Sequence, residues 1–356
     1  MSLDWQEVDI HNVMQMLLAR MSAKVFVGYP ACRNEEWLKL SVGYTMDVFQ
    51  TAFIIRLFPS WAQPIVAQFI PSRNRIAKQL KLARRVLKPL IDKHADATRR
   101  RKAGEEQDEE DTLFKWMIDH GTEDENQIDK IVKRQILLTL ASIHTTSSVL
   151  VSAIIDMCAH PEWIAILREE VVNAIKELGL IGSNLEINSK QWLQHLEKLD
   201  SFFNESHRTN PLIILVPQRI ALEPLTLKDG THIPKGSRIC WAGSSHMNDP
   251  SVTPRPEVFD PMRSYRKRHS SADQMNKHLA GQTSPDNLGF GYGKLACPGR
   301  HFAVGVTKLV LARLLVEYEF KFPDHVTSRP KTLNADEFLF TDPGTKIMMR
   351  LRRGDN

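Results

Sequence analysis

A cysteine becomes a strong ligand or nucleophile only where its surroundings hold it as a thiolate, and the sequence prepares such surroundings at Cys297. The residue lies in FGYGKLACPGR, residues 290–300, between a glycine-rich turn and an apolar-periodic stretch that predicts a long helix. A sulfur at a helix N-terminus faces unpaired backbone N–H groups and the positive end of the macrodipole, and both favour its charged form. Pro298 suits the first helical turn, where its missing N–H costs nothing. Gly291 and Gly293 allow a tight turn and a close approach to a flat partner that a larger side chain would hold away. The alternative is a structural cysteine buried after a turn, a common fate of free cysteines.

Two further groupings carry reactive residue types. Glu205 and Arg208 are three apart in a helical pattern and share one face, although such pairs also decorate ordinary solvated helices. The sequence ASIHTT, residues 141–146, sits mid-way along a long helical pattern. A threonine hydroxyl there can bond back to a carbonyl or hold a water, which loosens the helical ladder. His144 titrates near neutrality and could relay protons. Its other reading is a satisfied polar residue of a tightly packed helix.

The elements that must position these groups are mostly helical in the first half. Periodicity predicts helices over 3–24, 34–57, 72–97, 112–120, 125–159 and 161–179. Short β-like segments come after Arg208: Pro211 stops the preceding helix, and LIILVPQRIAL leads through the turn 228–230 into THIPKGSRICWAG. Residues 246–250 read as a short turn-helix and 269–286 as a polar surface loop. Beyond Cys297, the apolar residues Phe302, Val306, Leu309, Val310 and Leu314 define a helical face, and the final IMMRLRR alternates like a strand. The expected fold class is therefore mainly α with small β-sheets.

Composition bounds the answer. With 42% hydrophobic and 25% charged residues, the chain can bury a substantial core. Cys32, Cys158, Cys240 and Cys297 show no paired spacing, which argues against a disulfide framework and against zinc. The net charge of +5 includes the run Arg99-Arg100-Arg101-Lys102, but an acidic block, 105–111, comes at once after it. Opposed runs of this kind read as a solvated loop, so no nucleic-acid partner is expected. The basic stripe Lys78, Lys81, Arg84, Arg85 and Lys88 accompanies apolar Leu80, Leu82, Val86, Leu87 and Leu90, an amphipathic helix. Residues 136–158 are long enough to span a membrane, yet nine polar side chains from Thr139 to Asp156 interrupt them, so a buried central helix is the better reading.

In these motifs the chain resembles the cytochrome P450 family of haem-thiolate monooxygenases. Phe290, Gly293, Cys297 and Gly299 fall in register on the family loop F-x-x-G-x-R/H-x-C-x-G, with Leu295 in place of the basic residue and Lys294 beside it. The resemblance implies that Cys297 ligates the iron of haem b axially and that the flat partner of the glycines is the porphyrin. PEVFDPMR, residues 256–263, matches P-E-x-F-x-P-x-R, which implies that Arg263 closes a network with Glu205 and Arg208. A carboxylate between two guanidinium groups would lock the structure around the pocket. ASIHTT matches A/G-G-x-D/E-T-T/S at Thr145 and Thr146, with Ser142 replacing the glycine and His144 the acid. In the family this helix, here about 125–159, delivers protons to dioxygen. Arg219 falls where the family often places a propionate-binding arginine, and Ile213 to Val216 where a strand partly faces substrate; core packing is their other reading.

The resemblance extends over essentially the whole chain, read as a single incomplete domain over 1–356: helical over 1–209, then small sheets, the thiolate loop 290–300 and its helix over 210–356. It maps onto roughly the C-terminal two-thirds of a full-length member, and no W-x-x-x-R, which contacts a propionate in the family, occurs. The activity that the resemblance implies is insertion of one oxygen atom into a small apolar molecule. O2 is consumed, and NADPH serves indirectly through a cytochrome reductase, since no dinucleotide fingerprint is present. The HTT and CPGRHFA segments, like residues 21–38, resemble filamentous-fungal members, which points to secondary metabolism of a terpenoid or indole-derived scaffold. A full-length form would contact membrane at the cytosolic face of the endoplasmic reticulum. Two alternatives keep part of this: a haem-thiolate isomerase or peroxide-using enzyme retains Cys297, and a truncated non-catalytic remnant retains only the fold.

Overall fold

The computed structural model describes residues 3–105, 109–181 and 188–352. The chain divides into two units, residues 12–147 and residues 1–11 with 148–356.

In the first unit, local capping sets where helices begin. Asn34 accepts the Trp37 N–H at 2.9 Å and opens α2 (Glu35–Arg56), with Glu35 and Glu36 in the favourable first turn. Thr112 does the same for Lys115 at 3.1 Å and opens α5 (Leu113–Asp119). With α1 (Ile10–Phe26), α3 (Gln63–Phe69), α4 (Pro71–Lys102) and the first half of α6 (Ile128–Ala159), these make the unit. α2 packs along α4. Buried Asp47 takes bonds from Arg75 Nε (2.8 Å) and Gln79 Nε2 (3.0 Å) across that contact. The basic face of α4 is paired with acids: Arg84 with Asp129, Arg85 with Glu36, Lys88 with Asp92. Arg100 and Arg101 likewise meet Glu105 and Glu109, while residues 106–108 of the acidic block lie outside the described residues.

Among the described residues α6 is the helix long and apolar enough to cross a membrane, with mean hydropathy 1.6. Most of its apolar stretch is buried within the protein.

In the second unit, β1 (Gln6–Asp9) pairs antiparallel with β9 (Lys346–Leu351), and β9 with β6 (Tyr318–Lys321). Val8, Ile347, Met349 and Phe320 are its buried residues. Three two-stranded pieces complete the β structure: β2 (Gln218–Ile220) with β5 (Arg238–Cys240), β3 (Leu225–Thr226) with β4 (His232–Ile233), and β7 (Thr332–Ala335) with β8 (Phe338–Thr341). Their neighbours are α7 (Glu162–Leu178), α8 (Ser189–Gln194), α9 (Glu197–Thr209), α10 (Gly243–Met247), α11 (Arg263–Arg268) and α12 (Arg300–Glu317). α12 packs against α7, α8 and α9, and Leu311 and Leu315 of α12, Leu167 and Val171 of α7 and Phe202 of α9 are all buried.

Four sequence expectations need correction. Residues 6–9 are a strand, because pairing with β9 overrides a local helical pattern, and α1 starts at Ile10. α4 continues to Lys102, since its arginine run sits favourably at a helix C-terminus. α6 begins at Ile128 because Thr122 and Glu125 close on each other in a separate capping turn, with Thr122 N to Glu125 Oε2 at 2.8 Å. On α12 the buried residues are Val304, Thr307, Lys308, Val310, Leu311, Ala312, Leu314 and Leu315, while Phe302, Val306 and Leu309 are half-buried. Lys308 turns inward to Asp200 Oδ1 at 3.1 Å and the Leu193 carbonyl at 2.7 Å, which rotates the helix relative to a purely apolar stripe.

Candidate active site

The loop around Cys297 is shaped by its backbone. Gly291 (φ 73°) and Gly293 (φ 69°) are left-handed, a conformation in which an L side chain is strained. The Cys297 N–H donates to the Phe290 carbonyl at 2.8 Å, and Ala296 N–H to that of Gly293 at 3.1 Å, closing the loop. Arg300 Nη1 holds the Cys297 carbonyl at 2.8 Å. The helix begins at Arg300 with Gly299 as its N-cap, so Pro298 lies in the preceding turn, not in the first helical turn. A β-carbon added at Gly293 or Gly299 would meet no heavy atom within 4 Å, and Tyr292 (45%) and Leu295 (70%) are exposed beside them. Cys297 is half-buried. By contrast, burial pushes the Cys158 thiol up to about 12, with Asp156 adding to the effect, and leaves it a neutral core group.

Behind the loop stands α9. Glu205 is 3% exposed, and its carboxylate takes Arg208 Nε at 2.9 Å and Nη2 at 2.7 Å in a bidentate pair. Arg263 Nε reaches Glu205 Oε2 at 3.3 Å, and the Asp260 N–H reaches Oε1 at 3.0 Å. The two guanidinium groups also bind the carbonyls of Pro256 (3.0 Å), Pro254 (2.7 Å) and Val258 (3.1 Å), so the loop before α11 is gripped through its backbone. Arg208 further donates to the Asn248 side chain.

His207, between the two motif residues, is a contributor that the sequence motifs do not flag. It is fully buried, 5.0 Å from the Phe290 ring edge-on and 6.0 Å from Phe203, and burial takes it down to about 4, so it is a neutral spacer. Gly289 makes this contact possible, because a β-carbon there would stand 2.9 Å from His207 Cε1. The placement of Gly289 before Phe290 is the available sequence signal. Also unforeseen is Asp156, where Arg329 Nε (2.5 Å) and Ser206 Oγ (2.5 Å) converge on a carboxylate that burial nevertheless holds above its ordinary range.

His144, Thr145 and Thr146 belong to the first unit. Thr145 is exposed and its hydroxyl donates to the Ala141 carbonyl at 2.7 Å, the back-bond expected of it. Thr146 is buried. His144 Nε2 meets the Val42 carbonyl at 2.9 Å, and burial lowers its basicity against that bond. That is the geometry of a satisfied helix residue. Arg219 is exposed on β2 and donates to the Gln218 carbonyl at 2.7 Å.

The chain matches the family model described as Cytochrome P450 over residues 3–349. It belongs to the cytochrome P450 family. It is 44% identical over 98% of its length to cytochrome P450 monooxygenase ATR4 of Stachybotrys chlorohalonatus, and 41% identical over 98% to sdnB of Sordaria araneosa. It covers 65% and 64% of those two relatives. Ent-kaurene oxidase P450-4 of Gibberella fujikuroi is 38% identical over 98% of the chain, which covers 66% of that relative. The solved structure of a retinoic acid-bound cyanobacterial CYP120A1 shares the fold, with a TM-score of 0.70 at 18% identity over 97% of this chain and 70% of that one.

The P450 family and fold imply a haem cofactor. The residues around the loop fit it: a half-buried sulfur for iron, and glycines opening onto space that a flat ring could fill. Apolar Leu295 departs from the family pattern; Lys294 beside it is exposed, and so is Arg219 on β2.

Proposed function

We propose that this chain is the haem-binding body of a monooxygenase that inserts one oxygen atom into an apolar small molecule. The observation that carries the reading is Cys297, set by two left-handed glycines on an open face and backed by the buried Glu205–Arg208–Arg263 network, in a chain of this family. Haem held on the Cys297 sulfur would supply dioxygen activation, with thiolate electron density favouring O–O cleavage.

The chain's own residues do the rest. Glu205, Arg208 and Arg263 keep the protein behind the loop rigid, and neutral His207 packs edge-on against Phe290. Arg219 and Lys294 would hold the propionates. Thr145, with its hydroxyl already turned back along α6, would position a water and pass protons, with Thr146 behind it and His144 serving the helix through Val42. Half-buried Ile213, Ile214, Leu215 and Val216 would bind the apolar substrate. The relatives named as ent-kaurene oxidases favour a fungal terpenoid over an indole-derived scaffold. Electrons would come from NADPH through a cytochrome reductase, and O2 is the co-substrate. Exposed Phe53, Leu57, Trp61, Ile65 and Phe69, on and between α2 and α3, support contact with the endoplasmic reticulum membrane.

The test is a reduced carbon-monoxide difference spectrum of the purified, haem-supplemented chain. The thiolate-type band is expected in the parent and lost in Cys297→Ser. A parent without bound haem, or an unchanged band in the serine variant, refutes the reading.

A further inference from the structure

One residue holds the Cys297 carbonyl twice. Arg300 brings its backbone N–H to that oxygen at 3.4 Å and its side-chain Nη1 at 2.8 Å, so the side chain turns back onto the residue that carries the sulfur. The turn has other closures: the Cys297 N–H donates to the Phe290 carbonyl at 2.8 Å, and the Ala303 N–H to that of Gly299 at 2.8 Å. What a guanidinium brings beyond one more hydrogen bond is a permanent positive charge.

Among the described residues that charge has no counter-ion. Arg300 makes no ion pair with any of them, and its Nε is buried without a partner. The sequence explains why, since no aspartate or glutamate occurs from 287 to 316. Other cations of this stretch are arranged differently. Lys308 meets Asp200 and Arg313 meets Glu317, while Lys294 is exposed to solvent. Behind the loop, Arg208 and Arg263 share Glu205. Arg300 is half-buried, where water and salt screen a charge less than they do at the surface.

We propose that Arg300 is a positioning residue for the haem ligand: an uncompensated cation fastened to the carbonyl of Cys297, which draws electron density from the sulfur and raises the potential at which bound haem takes one electron from the reductase. The inference rests on the haem-binding reading of Cys297. Reduction adds one negative charge to the iron and its ligand, and a fixed positive charge favours the more negative of the two states. Charge and hydrogen bonding around an axial ligand are levers by which a protein sets such a potential.

The experiment uses the full, haem-loaded chain, and the ferric–ferrous midpoint is read optically during titration with dithionite and dye mediators. Arg300→Leu removes bond and charge, Arg300→Gln keeps a donor without the charge, and Arg300→Lys keeps the charge. Both neutral variants are expected to lower the reduction equilibrium about tenfold, which is about 59 mV for one electron, while the lysine variant stays nearer the parent. If Arg300 only braces the turn, Arg300→Leu lowers the melting temperature or the haem content, and the haem it retains titrates at the parent's potential; that overturns the proposal. A glutamine variant at the parent's potential overturns it too, because a neutral donor then suffices. Should the leucine variant not hold haem, glutamine against lysine decides, and loss of haem from the glutamine variant as well marks Arg300 as structural and counts against. The carbon-monoxide spectrum judges the haem-binding reading separately, so a parent with the thiolate-type band whose neutral variants keep its potential sinks this inference alone.

Discussion

Glu205→Gln removes one charge and almost no volume, and so isolates what the network contributes. In the parent, the 3% exposed carboxylate serves two bonds from Arg208, one from the Asp260 N–H and the longer contacts of Arg263. The amide retains one acceptor oxygen and turns an NH2 group toward the donors. At least two charge-assisted bonds are therefore lost, at about 1.5–3 kcal/mol each. The Arg208 and Arg263 side chains, 9% and 12% exposed, are left facing each other without a counter-charge. Breaking a buried pair in this way costs about 3–5 kcal/mol, and we take about 4 kcal/mol, a large share of the roughly 5–15 kcal/mol that holds a domain folded. At about 2–4 °C per kcal/mol for a unit of this size, the melting temperature should fall by about 8–16 °C. Circular dichroism melts of parent, Glu205→Gln and Glu205→Asp check this, with the aspartate intermediate because it keeps the charge but shortens the reach. A drop of less than about 3 °C would refute the reasoning, since it would mean the guanidinium groups find other partners or water at no cost.

The remaining expectations concern acid, protons and lipid. His207 is held neutral at about 4 against about 6.5 when unfolded, so the unfolded chain takes up the proton first; stability present above pH 6.5 is lost as pH falls toward 4, by about 3 kcal/mol. His207→Phe should flatten that slope in denaturant midpoints between pH 7 and 4.5, and superimposable pH profiles would count against it. Thr145→Ala should raise peroxide release per NADPH consumed without changing the helical signal, because the hydroxyl is exposed and bonds only one carbonyl in the ladder; an unaltered ratio of peroxide to product removes its proton role. Trp61→Ser with Phe69→Ser, which takes away side chains 77% and 79% exposed, should weaken sedimentation with phosphatidylcholine–phosphatidylserine vesicles at least tenfold, roughly the loss of one buried aromatic. Equal partitioning would show that the α2–α3 surface meets no lipid.

The features legible in the sequence are those encoded locally. Gly291 and Gly293 announce a left-handed turn by residue type alone, Asn34 announces a helix start, and apolar period places α2, α5 and α7 to within a residue or so. Motif spacing also leads to Glu205, Arg208 and Arg263 meeting, because the geometry of i, i+3 and the resemblance agree. The features that stay hidden depend on distant partners. Gln6–Asp9 becomes a strand only because Lys346–Leu351 arrives beside it. Lys308 reads as a solvent residue until Asp200, far back along the chain, draws it inside. Glu337 looks like a turn acid, and only Arg238 reveals it as a buried anion.

The same contrast explains why E-x-x-R, weak as a pattern, marks the centre of the second unit. Successive residues of α9 each hold a different neighbour. Asp200 takes Lys308 of α12 and the Ala280 N–H, and Ser201 takes the Tyr265 N–H of α11. Asn204 donates to Ser264, Glu205 collects the arginines, Ser206 bonds Asp156 of α6, and His207 packs on Phe290. Most of these side chains are buried, so each bond forms where no water competes and its loss leaves a bare polar group. A shift of α9 along its axis would break several of them together, and cores packed in this manner switch between discrete arrangements more readily than they deform. The loop that presents Cys297 is therefore fixed from behind by a helix held in a single register, as the role proposed for Cys297 in binding haem requires. Substitutions on α9 should accordingly act on haem affinity even at positions such as Ser206 that never approach the sulfur.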